Sequence, residues 1–193
     1  MTTAMNQQVD QGRINGLDKA ALFGTVAAIQ ADPGLGRFEF RAKNQWISGG
    51  ENRSTIKEFY GAGSEDSSRV EPFSFTNGEP PVLLGNNEGA NPVEFLLHAL
   101  AGCVTTTAVI HAAARGITVR RLSTELVGAL DVQGFLALDD SVPVAYQEIT
   151  IRMHLEADCS DEEIDELIAI AQQRSPVWNT ITGSAPVRVE RVS

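Results

Sequence analysis

Two sulfurs and three imidazoles are the groups in this 193-residue chain best suited to making and breaking bonds: Cys103, Cys159, His98, His111 and His154. Two cysteines at this spacing form neither a disulfide framework nor a Cys-x-x-Cys metal pair. A structural zinc site would need four ligands from these few residues at unsuitable spacings. The expectation is therefore no metal and no cofactor, with any thiol chemistry resting on one of the two sulfurs. Cys103 lies midway along PVEFLLHALAGCVTTTAVIHAAARG, the longest apolar stretch. Position alone favours a packed thiol there, because free cysteine behaves as a small hydrophobe.

The neighbours of Cys103 supply no obvious base. His98 precedes it by five residues, about 140° around a helix, which is a poor angle for a Cys–His pair. A buried or interface histidine bonded to backbone is the favoured reading for His98, with approach from a partner chain left open. Thr106 and Thr107 follow one turn on, and helix threonines more often bond their own backbone. Cys159 adjoins a helix cap at the end of a strand and reads as an incidental edge cysteine. Trp46 and Trp178 could line an apolar pocket, though large aromatics are more often core.

The elements that must position these groups follow from periodicity. Residues 16–31 read as a helix, with Asp18 near its start, Leu22, Val26 and Ile29 at helical spacing, and Pro33 and Gly34 beyond its end. The fifteen residues before it are polar and expected to be mobile. FEFRAKNQWISGG alternates and reads as a strand ending at Gly49-Gly50; STIKEFYGAG and RVEPFSF read as a second and a third. A long loop opens at NGEPP and stops at Pro92. Asn91 suits the N-cap of the long apolar helix, Pro92 its first position and Gly116 its end. This helix is apolar nearly all round, as expected of one buried on most sides.

Further on, ITVRRLSTELVGALDV and YQEITIRMHLEAD alternate as strands. Ile149, Ile151, Met153 and Leu155 face a core, while His154 faces water. Ser160 and Glu163 form a capping box for a helix carrying Ile164, Leu167, Ile168 and Ala171. That helix ends near Arg174, because Pro176 disfavours helix at the residue before it. APVRVERV reads as a closing strand. The order of elements is that of an α+β fold with antiparallel pairing.

Composition narrows the function classes. Fifteen Lys and Arg stand against 25 Asp and Glu, a net charge of -10, so the surface repels phosphate backbones and anionic lipids. The densest basic spot, Arg115, Arg120 and Arg121, is no stripe. No apolar run reads as long enough to cross a bilayer, and the N-terminus lacks the basic start and apolar core of a secretory signal. The expectation is a cytoplasmic chain with no nucleic-acid or membrane partner.

An ordered set of motifs carries a resemblance. The run Asn91-Pro92-x-Glu94-x-Leu96-Leu97-x-Ala99-Leu100-x-x-Cys103 resembles the central-helix signature of the OsmC/Ohr family, named for osmotically inducible protein C and organic hydroperoxide resistance protein. Glu79-Pro80-Pro81 with Leu83-Leu84-Gly85 is similar to the family's preceding loop. Arg115-Gly116-Ile117, Asp131-x-x-Gly134-Phe135 and Ser175-Pro176-Val177 follow in the family's order. The resemblance covers residues 37–193, leaving 1–36 as an N-terminal tail and accessory helix. It implies an obligate, intertwined homodimer in which antiparallel sheets wrap two long central helices, with active sites at the dimer interface.

The resemblance also implies a chemistry, from which this chain departs at two positions. Family members reduce organic hydroperoxides through a helix thiolate that becomes a sulfenic acid, and a second cysteine condenses with it to a disulfide. Cys103 matches the peroxidatic cysteine. Arg53, after Gly49-Gly50, matches the arginine that favours the thiolate, with Arg41 in reserve. The family's catalytic glutamate is Val93 here. Glu94, one residue further, lies on the far side of the helix from Cys103 and suits support of the helix start; Glu88 on the loop is the other carboxylate candidate. Ser175 replaces the second cysteine, and a serine cannot form a disulfide. The implied activity is a one-cysteine peroxidase taking a small organic hydroperoxide and an external thiol reductant. Its alternative is a non-catalytic dimer that binds a small apolar ligand or acts as a scaffold. A thiol transferase or hydrolase ranks below both for want of a Cys–His pair.

Overall fold

The computed structural model describes residues 12–183 and 185–191. The chain divides into two compact units. One contains Cys103–Thr124 together with the parts of the chain up to Val26 and from Met153. The other contains Ala27–Gly102 and Glu125–Arg152. Mixed α/β structure with antiparallel strand pairing runs through both, as the periodicities predict.

The first unit opens with a hairpin of β1 (Arg13–Ile14) and β2 (Leu17–Asp18). Its turn is Asn15-Gly16, both at positive φ, which is the two-residue turn whose twist matches paired strands. Residues 12–15 thus belong to a formed element, correcting the expectation of a mobile start; residues 1–11 lie outside the described part. The Asn15 amide ties the hairpin down, donating to the Ile117 carbonyl at 2.9 Å and accepting from the Val119 N–H at 2.8 Å. Helix α1 (Lys19–Ala31) begins where Asp18 accepts from the Ala21 N–H. It contains no buried residue.

The second unit holds two small sheets. β3 (Glu39–Phe40), β6 (Phe59–Gly61) and β7 (Ser64–Asp66) form one in the order β3-β6-β7. β4 (Lys43–Ser48), β5 (Glu51–Ile56) and β8 (Phe73–Asn77) form the other in the order β4-β5-β8. The single strand expected over FEFRAKNQWIS is therefore two, broken at Arg41-Ala42, and STIKEFYGAG is likewise shared between two sheets. Runs of alternating residues do not reveal where a chain changes sheets.

Helix α2 spans Pro92–Arg115. Its 24 residues are long and apolar enough to cross a membrane by length and composition, which corrects the expectation that no segment reaches that length. Histidine and threonine interrupt the apolar run without lowering its average enough. Leu100, Val104, Ala108 and Ala112 form a buried stripe at four-residue spacing. Burial on most sides is not what a single chain provides: Leu96, His98, Gly102 and Thr106 are exposed.

β9 (Val119–Ala129), the single-turn α3 (Val132–Phe135) and β10 (Glu148–Ala157) follow, with β9 and β10 paired. Burial in β10 alternates as its sequence does. Helix α4 (Asp161–Arg174) carries the Ser160–Glu163 capping box. Leu167, fully buried, packs with Ala112, Ile117 and Leu155 in the core of the first unit. Its truncation to alanine would cost about 2–5 kcal/mol. Helix α5 (Pro176–Thr182) was not expected; Pro176 ends α4 and also occupies the first position of α5. The closing strand does not form: residues 185–191 have no regular structure, and Val187 and Val189 are 88% and 97% exposed. An alternating segment becomes a strand only when its backbone finds a partner.

Candidate active site

Cys103 occupies the middle of α2 and is half-buried, although Leu100 and Val104 on either side of it are fully buried. The thiol therefore lies beside the buried stripe and keeps access to its surroundings. Thr107 donates its hydroxyl to the Cys103 carbonyl at 2.7 Å, so it serves the helix backbone, as its type and position predict.

The start of α2 is held from several sides. Asn91 accepts from the Val93 N–H through Oδ1 at 2.9 Å, and its own N–H donates to Glu94 at 2.8 Å. This reciprocal arrangement is a capping box. The Glu94 carboxylate is thus engaged at the helix start, the support read from its position. The Asn91 Nδ2 donates to the Glu79 carboxylate. The Val93 carbonyl accepts from the Tyr146 hydroxyl at 2.9 Å. Burial first, and the Glu94 charge second, raise the Tyr146 pKa and keep that hydroxyl a donor. Glu88 accepts from both the backbone and the side-chain nitrogen of Asn86, which lower its pKa.

Arg53 sits on β5, opposite Gln45 of β4 and Thr76 of β8. Successive side chains of a strand point to opposite faces, and cross-strand partners share one. Arg53 therefore shares a face with Gln45 and Thr76, while Ser54 and Phe75 share the other. Phe75 packs edge-on against Phe95 of α2, ring centroids 6.1 Å apart. The face bearing Phe75 is the one toward the start of α2, and Arg53 projects from the opposite side. Among the described residues Arg53 is exposed and makes no ion pair. Arg41 is committed elsewhere: it bonds Glu39 and grips Glu65 with two parallel bonds of 2.9 Å, which raise its pKa and lower that of Glu65. Of the two arginines, only Arg53 keeps its guanidinium available. Arg53, Glu88 and Glu94 are not bonded to one another.

Ser175 is 0% exposed and caps α5, accepting from the Trp178 N–H at 3.2 Å. It makes no bond to Cys103. Cys159 packs against the core formed by Ala112, Ile117, Leu155 and Leu167. Burial raises its pKa, with help from Glu163, Asp158 and Asp161, so it is held as a thiol. His154 faces water and pairs with Glu156 at 2.8 Å. His98 lies exposed, edge-on to Phe95. His111 is held below its ordinary pKa by burial and by the Arg115 and Arg174 charges. No group of three or more metal-binding side chains occurs among the described residues.

Residue spacing did not reveal two features. One is the amide and hydroxyl cluster of Asn44, Asn52, Ser54 and Asn77, whose bonds of 2.6–3.3 Å join the three strands of the β4-β5-β8 sheet. The other is the role of Glu79, whose one sequence signal is its place in the loop before α2.

Comparison with known proteins places these elements in a lineage. A family model described as OsmC-like protein matches residues 85–190. The chain belongs to the OsmC-like family. The match contains Glu88, Glu94, Cys103 and Ser175 and begins beyond Arg53. A protein of Mycoplasma pneumoniae named hydroperoxide reductase is 28% identical over 105 residues, 53% of this chain and 69% of that protein. The crystal structure of an OsmC-like protein from the same organism superposes with a TM-score of 0.57 at 22% identity, covering 75% of this chain and 88% of the other. An OsmC-like protein of unknown function from Vibrio cholerae gives 0.56 at 12% identity, covering 74% and 92%.

Proposed function

We propose that this protein is a thiol peroxidase that reduces small organic hydroperoxides through Cys103 alone, as a homodimer, and draws on an external thiol of the cytoplasm. The observation that carries the reading is the half-exposed Cys103 between buried neighbours on α2, in a family with relatives named hydroperoxide reductase. The Cys103 thiolate attacks the terminal oxygen of the peroxide, and the O–O bond breaks. The sulfur keeps a hydroxyl as sulfenic acid, and the alkoxide leaves and takes a proton to become the alcohol. One external thiol displaces water to give a mixed disulfide. A second releases Cys103 and leaves as part of the external disulfide.

The external route is supported by the state of the other candidates. Ser175 is sealed from solvent and spends its hydroxyl on a cap, and Cys159 is packed and held protonated. Arg53 is the group assigned to favour the thiolate. The homodimer is supported by what one chain leaves uncovered: all of α1 but the partly buried Leu22 and Ile29, and Leu96, Gly102 and Thr106 of α2. Burial of such surface is the main driving force of association.

The test is sulfenic-acid trapping by dimedone, read by intact mass, in wild type, Cys103→Ser and Cys159→Ser, with an organic hydroperoxide beside hydrogen peroxide. Rapid labelling that needs Cys103 and not Cys159, and prefers the organic peroxide, is expected. A Cys103 that stays unlabelled under conditions that oxidise a free thiol overturns the peroxidase reading and favours a ligand-binding dimer.

A further inference from the structure

Glu79 is the common contact of three pieces of the second unit. Its carboxylate accepts from Asn91, the residue that caps α2. The Asn91 amide can donate to Glu79 and accept from Val93 in one orientation only, so the carboxylate fixes which way that cap faces. Gly50, in the β4–β5 turn, has no room for a Cβ because Cγ of Glu79 would lie 2.7 Å from it. Gly85 is closed in the same way, with the Glu79 carbonyl oxygen 2.0 Å from the position of its Cβ. That same carbonyl accepts from the Asn87 N–H at 3.1 Å. Gly50 thus leaves room for the Glu79 side chain, and Gly85 for its main chain. The residue is half-buried, and Oε1 has no hydrogen-bond partner among the described residues. Three residues beyond Gly50 stands Arg53.

We infer that Glu79 is a positioning residue of the proposed site: it locks the Gly49-Gly50 turn, and with it Arg53, to the capped start of α2. Glu94 is engaged in the capping box and Glu88 on Asn86, so Glu79 is the carboxylate that joins the arginine's hairpin to the helix start. The inference rests on the reading that Arg53 stabilises a Cys103 thiolate.

The experiment is the pH dependence of Cys103 alkylation in a Cys159→Ser background, for Glu79→Gln, Arg53→Ala and the double variant, with melting temperature measured alongside. Loss of the arginine raises the midpoint of the profile by about one pH unit. Glu79→Gln is expected to give the same displacement, and the double variant no more than Arg53→Ala alone, the signature of two residues acting through one path. A merely structural Glu79 would lower the melting temperature and leave the midpoint where it was, and that result overturns the inference. If Arg53→Ala itself leaves the midpoint unmoved, the reading of Arg53 fails, and this inference with it. Gly50→Ala keeps the carboxylate but crowds its Cγ. It is expected to reproduce the displacement, and if Glu79→Gln does not fold, its profile decides the matter.

Discussion

Arg53 and Phe75 lie on opposite faces of one three-stranded sheet, and the Phe75 face is the one that meets the start of α2 through Phe95. The alternation of a pleated strand allows no other placement. On the proposed reading, a guanidinium directed away from the start of its own α2 is suited to a thiolate supplied by a second copy of the chain. On the proposed reading, Arg53→Ala lowers the second-order rate of peroxide-driven Cys103 oxidation by about one to two powers of ten. Neither Arg53→Ala nor Cys103→Ser should turn over well as a homodimer. Their co-expressed heterodimer would contain one intact site, and a statistical mixture would recover roughly a quarter of wild-type activity. Recovery is measured with two affinity tags and a peroxide-consumption assay. A heterodimer as inactive as its parents would place arginine and thiol in the same chain.

Ser175 stands where the resemblance expects a second cysteine, and its hydroxyl already has work as the cap of α5. Ser175→Ala leaves the Trp178 N–H without its acceptor in a part-buried place. The expected cost is about 1–2 kcal/mol, or about 2–8 °C in melting temperature for a chain of this size. On the proposed reading the rate of Cys103 oxidation should not change, because the Ser175 hydroxyl is engaged in the cap. Thermal denaturation beside dimedone labelling checks both halves. A lower oxidation rate at unchanged melting temperature would give Ser175 a chemical role.

What the sequence disclosed depended on whether a signal was local. Asn91-Pro92 and Ser160-x-x-Glu163 are complete cap signals, and both helices start where these say. β10 alternates cleanly because one face is buried and the other wet. Asn15-Gly16 is an equally local turn signal, and it moves the start of the helix expected over 16–31 to Lys19. Pro176 reads as the stop of α4 and Ser175-Pro176-Val177 as a family motif, although a serine followed by proline is also how a helix begins. Pairing is not local, so the division of residues 38–61 between two sheets and the unpaired Val187 and Val189 could not be read from alternation. In the proposed site, Cys103 and Arg53 are assigned by type and motif. Glu79 is not, because the role inferred for it rests on closeness to Gly50, Gly85 and Asn91, which the fold creates.

Cys159 should be the slow thiol of the pair. Burial raises its pKa, and Glu163, Asp158 and Asp161 oppose the anion further. Near neutral pH its thiolate fraction is accordingly small, and alkylation should proceed well behind that of Cys103. Mass mapping of iodoacetamide adducts over time gives the two rates separately. Cys159→Ser should leave peroxide consumption unchanged. Loss of turnover in that variant, with Cys103 intact, would mean that Cys159 resolves the sulfenic acid after all and that the external-thiol route is wrong.

His111 should make the fold sensitive to mild acid. In the folded chain its pKa lies below the ordinary 6.5, because burial and the nearby Arg115 and Arg174 charges disfavour the imidazolium. Of these two, Arg115 is itself paired with Glu166 at 2.8 Å. Below pH 6.5 the unfolded chain therefore binds a proton that the folded chain resists. Stability falls as pH drops through this window until the folded histidine is protonated too. Above about pH 6.5 the imidazole is neutral in both states and the penalty vanishes. His111→Gln removes the titration but keeps a polar side chain on α2. Its melting temperature should fall less than that of wild type between pH 7.5 and 5.5, measured by circular dichroism in matched ionic strength. Parallel curves for the two proteins would show that the imidazole charges in the folded chain as readily as in the unfolded one.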